Sequence, residues 1–207
     1  LIYGLEIARQ YIRDTDSRAV IVHPMKALSR DQRKELEGLF DDLGLSIDVG
    51  VYDGDVTSSE KRSVRNECEV VITNFAGLNQ YLPHHSGWSE VLGNLETVVV
   101  DESHMYTGIQ GMHVAWIARR LLRLAESDRY GSSPQVILTS ATIGNPKEHS
   151  KSLTGRDVTV VEEDGSPRGR RDLVFWNPPT YNDDGFEVRR STHRESSEVL
   201  AHLTHYG

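Results

Sequence analysis

Short β-branched runs alternate with helical stretches along most of the 207-residue chain, and that alternation restricts the fold more than any other feature. The runs lie at 19–23, 46–51, 69–73, 97–100, 135–139 and 158–161. Several carry apolar residues at consecutive positions, as in Ala19-Val20-Ile21-Val22 and Val98-Val99-Val100. A strand covered on one face alternates apolar with polar residues, whereas a strand covered on both faces has no reason to. Parallel neighbours need a crossover of about a dozen residues or more, and each gap between runs is long enough to hold a helix. The expectation is an α/β domain with a parallel sheet and helices on both of its faces.

The intervening stretches carry helix boundaries. Leu36, Leu39, Phe40 and Leu43 form an apolar stripe that stops at Gly44, a residue suited to a left-handed C-terminal position. Thr57 and Glu60 have the spacing of a capping box and open a helix that runs toward Cys68. Val114, Ile117, Ala118, Leu121, Leu122 and Ala125 recur at helical spacing, with Arg119, Arg120 and Arg123 falling elsewhere. Asn145, Pro146 and Glu148 supply a cap, a first-turn proline and a third-position acid. Two stretches depart from the pattern. Residues 83–94, with His84, His85, Gly87 and Trp88, read as a surface excursion, and residues 162–185, with Gly165, Pro167, Gly169, Pro178, Pro179 and Gly185, have linker composition. Residues 188–206 then read as a helix with nothing of its own to pack against.

Charge and cysteine content narrow the function classes. With 23 basic against 31 acidic side chains the formal charge is −8, so contact with nucleic-acid phosphates must come from local basic patches. Cys68 is the only cysteine, which excludes an intramolecular disulfide and an all-cysteine metal site and makes a reducing, cytoplasmic compartment the expectation. No apolar run approaches a membrane span and no secretory signature opens the chain. His84, His85, His104 and His113 have neither a cysteine partner nor the i, i+4 pairing of a helical zinc site.

The sharpest chemical signal is Thr97-Val98-Val99-Val100-Asp101-Glu102-Ser103-His104, an apolar strand that delivers two carboxylates and an imidazole at its C-terminal end. In open α/β sheets ligands sit in the crevice at that end. One carboxylate can hold Mg²⁺ through water while its neighbour takes a proton from an attacking water, the two tasks of nucleoside triphosphate hydrolysis. A second run ends in Ser140-Ala141-Thr142, whose hydroxyls are placed to reach the His104 region across adjacent strand ends. Val22-His23-Pro24-Met25-Lys26-Ala27-Leu28 ends a strand and opens a helix bearing Arg30, Arg33 and Lys34, a plausible phosphate contact. Thr73-Asn74 and Asp53-Gly54-Asp55 close two further strands. Each of these segments also has an ordinary structural reading as a cap or turn. Arg168, Arg170 and Arg171 read as solvated linker charges.

In order and spacing these segments resemble the first RecA-like lobe of a superfamily-two helicase of the DEAD/DEAH-box kind, over roughly residues 1–160. The resemblance implies that Asp101 binds magnesium and Glu102 activates water, and that His104, Ser140 and Thr142 report the state of bound ATP. It assigns Pro24, Lys26, Gly54, Thr73 and Asn74 to contacts with single-stranded or partly duplex DNA. Tyr106-Thr107-Gly108-Ile109-Gln110-Gly111-Met112-His113-Val114-Ala115, residues 163–169 and Phe175-Trp176-Asn177-Pro178-Pro179 are similar to the YprA/MrfA type of DNA-repair helicase. One departure is plain: no segment fits G-x-x-x-x-G-K-[ST], the loop that cradles phosphates. The resemblance implies that this loop precedes the helix at 1–13, so the expectation is an N-terminally truncated lobe at 1–161. An interlobe linker at 162–186 and the start of a second RecA-like lobe at 187–207 complete it. Two other readings stay open: a non-catalytic nucleic-acid-binding or interaction module, and a metal-dependent nuclease built on Asp101 and Glu102.

Overall fold

The computed structural model describes residues 2–163, 165, 167, 169–170, 172–178, 180–183 and 185–206, with Lys26, Ala27, Asp183 and Tyr206 described by their backbone only. Arg168, Arg171 and parts of the motifs at 163–169 and 175–179 lie outside the described residues. The chain divides into two compact units, Leu1–Val161 and Glu162–Gly207.

The first unit is built on five strands: β1 (Arg18–Val22), β2 (Val49–Tyr52), β3 (Val70–Thr73), β4 (Leu95–Val100) and β5 (Gln135–Leu138). They lie in the order β2-β3-β1-β4-β5 and every pairing is parallel, so all five C-terminal ends emerge on one edge. Consecutive side chains on β1 point in opposite directions, and both directions are buried. Val20 and Val22 join Val71, Val98 and Val100 in one apolar layer, while Ala19 and Ile21 join Val49, Val70, Ile72 and Val99 in the other. That is the physical reason the strands read as continuous apolar runs.

Helices cover both layers. α1 (Ile2–Arg13) and α2 (Lys26–Asp42) close one face, with Tyr3, Ile7, Leu36 and Phe40 buried. Gly44, at φ 68°, turns the chain out of α2, in the left-handed region that glycine enters without penalty. On the other face lie α3 (Ser58–Glu67), α4 (Phe75–Tyr81), α5 (Ser89–Gly93), α6 (Gly108–Ala125) and α7 (Pro146–Thr154). The Thr57 hydroxyl accepts from the Glu60 amide while the Glu60 carboxylate accepts from the Thr57 amide, so the expected capping box is formed. On α6, Val114, Ala118, Leu121, Leu122 and Ala125 are buried as their spacing requires.

Three expectations are corrected. Residues 83–94 do not form an excursion: Leu82–Trp88 is a 3₁₀ segment leading into α5, and Trp88 is buried edge-on to Tyr52 at 4.7 Å between ring centroids. Residues 158–161 form no strand, because no described strand lies beside them to share a ladder, and Val161 is left exposed. In the second unit the chain forms an antiparallel hairpin, β6 (Thr180–Asp183) with β7 (Phe186–Arg189), before α8 (Thr192–Tyr206). Val188, expected in the helix, lies in β7 opposite Tyr181, and the helix begins four residues later. Within that unit the Trp176 indole donates to the Glu195 carboxylate at 3.0 Å.

Candidate nucleotide and strand-contact site

The parallel ladder assembles the candidate site. Beyond the last regular pairs, Asp101 N donates to the Val22 carbonyl at 2.9 Å, His23 N to the Thr73 carbonyl at 2.9 Å, and Thr139 N to the Val100 carbonyl at 3.1 Å. Residues far apart in sequence, 23, 73, 101 and 139, thus stand side by side at the end of the sheet where α/β ligands bind.

Asp101 and Glu102 are neighbours with opposite surroundings. Asp101 is buried, and its Oδ1 accepts from the Glu102 amide at 3.0 Å and from the Thr139 hydroxyl. Its Oδ2 faces Nε2 of the buried His23 at 3.5 Å. Its negative charge, after burial itself, helps push the hydroxyls of Tyr3 and Tyr106 above the ordinary tyrosine range. Glu102 has φ 49° and ψ 42°, and among the described residues it is the only non-glycine at positive φ. A carboxylate-bearing residue held in the left-handed region stores strain of order 1 kcal/mol, and such outliers gather at functional sites. The turn leaves its side chain 44% exposed.

The turn that follows is braced from two sides. Ser103 N donates to the Thr139 carbonyl at 2.8 Å, and His149 on α7 donates from Nε2 to the Ser103 carbonyl at 2.8 Å. His104 Nδ1 accepts from the Ala141 amide at 3.1 Å and lies 3.4 Å from a Glu102 carboxylate oxygen. These two contacts are alternatives. A nitrogen that accepts from an N–H has no proton to offer a carboxylate. Gly111 lets the next helix close over the same turn, since a Cβ there would clash with the Tyr106 carbonyl oxygen.

The structure therefore brings Asp101, Glu102, His104 and the Ser140–Thr142 segment together, with one change from expectation. The segment reaches His104 through the Ala141 backbone; the Ser140 hydroxyl donates to the Ala141 carbonyl at 2.8 Å, and no hydrogen bond from the Thr142 hydroxyl is present among the described residues. The strand-contact candidates end β1, β2 and β3 on the same edge. Gly54 is exposed beyond β2, in a turn where Asp55 N donates to Asp53 Oδ1 at 2.8 Å. Thr73 is buried and its hydroxyl donates to the Tyr52 carbonyl at 2.7 Å, while the Asn74 side chain caps α4 by accepting from Gly77 N at 2.8 Å. Both side chains thus have internal partners, and the Thr73 and Asn74 carbonyls accept from the His23 and Leu78 amides. Pro24 sits half-buried before α2, and Lys26 opens that helix.

Thr139, His23 and His149 were not among the expected site residues. A histidine interrupting an apolar run at 19–23 and a threonine closing the run at 135–139 were the signals in the sequence.

A family model described as DEAD/DEAH box helicase matches residues 1–149. The chain belongs to the DEAD/DEAH-box helicase family. It is 41% identical over 200 residues to the uncharacterized ATP-dependent helicase YprA of Bacillus subtilis, an alignment covering 96% of this chain and 26% of that protein. It is also 37% identical over 207 residues to the ATP-dependent helicase HRQ1 of Saccharomyces cerevisiae, covering 98% of this chain and 19% of the relative. The crystal structure of the DUF1998 helicase MrfA bound to DNA and AMPPNP superposes with a TM-score of 0.88 at 40% identity, covering 98% of this chain and 28% of that one. This DEAD/DEAH-box chain thus spans between about a fifth and a quarter of the curated relatives, and its five-stranded sheet is that of a RecA-like helicase lobe.

Proposed function

We propose that the chain serves as the first RecA-like lobe of an ATP-dependent DNA helicase, in which ATP hydrolysis drives movement along DNA in the course of repair. The observation that carries this reading is the split environment of Asp101 and Glu102: one carboxylate buried and fixed by Thr139, the next exposed on a strained turn. Asp101 fits a water-mediated magnesium ligand, since Mg²⁺ keeps most of its waters and takes one or two carboxylates. When bound, the ion would neutralise charge on the ATP phosphates. Glu102 takes the proton of the attacking water, and His104 with the Ser140–Thr142 segment senses the nucleotide.

DNA phosphates run across Pro24, Lys26, Gly54, Thr73 and Asn74. Contacts to phosphate carry no base information, so binding is indifferent to sequence. The phosphate loop and a second lobe are supplied by the rest of a longer chain, in which residues 162–186 bridge the lobes and 187–207 begin the second. A cytoplasmic setting fits the lone cysteine. The nuclease reading is disfavoured by a specific observation: among the described residues no group of three or more His, Cys, Asp or Glu side chains converges to cage a metal.

Fluorescence anisotropy of the helicase that contains this lobe, with two unrelated single-stranded oligonucleotides, tests the reading. Equal affinities that fall steeply with added salt are expected. A strong preference for one sequence, or cleavage of the oligonucleotide, contradicts it.

A further inference from the structure

His23 is only 2% exposed and bridges two parts of the site that the chemistry uses separately. On one side its Nδ1 accepts from the Met25 amide at 3.1 Å, at the position that caps the N-terminus of α2, where no side chain caps the helix in the usual way. On the other side its Nε2 faces Asp101 Oδ2 at 3.5 Å.

The two contacts select one tautomer. The Met25 amide can only donate, so the ring nitrogen it meets must carry the lone pair, and in the neutral ring the proton then sits on Nε2. There it points a positive dipole at the carboxylate. The opposite tautomer would donate from Nδ1 to the Met25 carbonyl at 3.2 Å, but would set a lone pair against Asp101. At 3.5 Å the favoured contact is a charge–dipole interaction rather than a full hydrogen bond. It gives Asp101 a partner on its second oxygen, the first being held by Thr139 and the Glu102 amide.

We propose that His23 is a positioning residue that couples the orientation of the Asp101 carboxylate to the N-terminal end of α2. The inference rests on the reading above, in which Asp101 holds magnesium and the start of α2 meets DNA, and adds a rigid ring between them. A ring fixed at both ends transmits a shift of either one to the other.

Three substitutions separate the two ends, each made in the helicase that contains this lobe. His23→Asn keeps an acceptor near Nδ1 and loses the donor toward Asp101. His23→Gln keeps a donor near Nε2 and loses the acceptor. His23→Phe fills the space with neither. Half-saturating magnesium for ATP turnover and the Kd for single-stranded DNA are measured for each, beside the thermal unfolding midpoint. Losing one such contact corresponds to about a three- to tenfold effect. His23→Asn is expected to raise the magnesium requirement by that factor with DNA affinity kept. His23→Gln is expected to weaken DNA binding with the magnesium requirement kept, and His23→Phe to do both. A His23→Phe protein matching the parent in both, or three variants that lose both in proportion to their unfolding midpoints, overturns the proposal. Independently of any variant's folding, ¹⁵N-histidine NMR of the parent should show His23 protonated on Nε2, and a proton on Nδ1 overturns it as well. Glu102→Gln in the same background keeps the outcomes apart: if that variant turns over ATP normally, the underlying reading of the site has failed rather than the role of His23.

Discussion

Under the proposed function, Glu102 trades stability for chemistry. Its left-handed backbone costs of order 1 kcal/mol relative to a residue without Cβ, and its side chain is 44% exposed. Glu102→Gly is therefore expected to raise unfolding stability by up to about 1 kcal/mol in urea titrations while removing ATP turnover. A variant less stable than the parent would show that the carboxylate supports the turn. Asp101 and Glu102 were legible as a pair because acids ending an apolar strand have few structural uses. Thr139, His23 and His149 were not, because each gains its role from a neighbour 37 to 78 residues away that only the ladder register brings near. At Ser140 and Thr142 the hydroxyls stand out in the sequence, while the backbone amide of Ala141 between them makes the contact with His104.

Among the elements, α3 is the helix whose start depends most visibly on side chains. Thr57 and Glu60 satisfy each other's amides, and the Thr57 hydroxyl, then the Thr57 amide, by donating to the Glu60 carboxylate hold it below the usual carboxylate range. A depressed folded-state value means that this support is fully present above the ordinary carboxylate value and is lost as pH falls through the lowered one. Thr57→Ala is expected to cost about 1 kcal/mol at neutral pH, with the difference from the parent shrinking in acid. Denaturant titrations of both proteins at pH 7 and near pH 3 check it, and a difference that grows in acid contradicts it. Elements with an internal signal were readable: the capping box, the apolar stripe ending at Gly44, and the apolar runs that form the five-stranded sheet. Those whose state depends on a neighbour were not. Residues 158–161 have strand composition with no partner strand among the described residues, and Trp88 makes its segment part of the core by packing on Tyr52.

At the scale of the whole molecule, the parallel sheet gathers five strand ends on one edge of an otherwise acidic chain. Under the proposed function, that edge carries the nucleotide contacts at β4 and β5 beside the strand contacts at β1 to β3, and their adjacency would link hydrolysis to movement. The 207 residues contain no G-x-x-x-x-G-K-[ST] loop, so the chain purified alone is expected to release no phosphate from ATP. The decisive measurement is made in the helicase that contains it: nucleotide binding and DNA-stimulated phosphate release for Glu102→Gln beside the parent. The amide keeps the size of the side chain and cannot accept the proton, so binding should persist while turnover falls by at least about a hundredfold. Turnover close to that of the parent would contradict the assignment of Glu102 as the general base, and with it the account of the site.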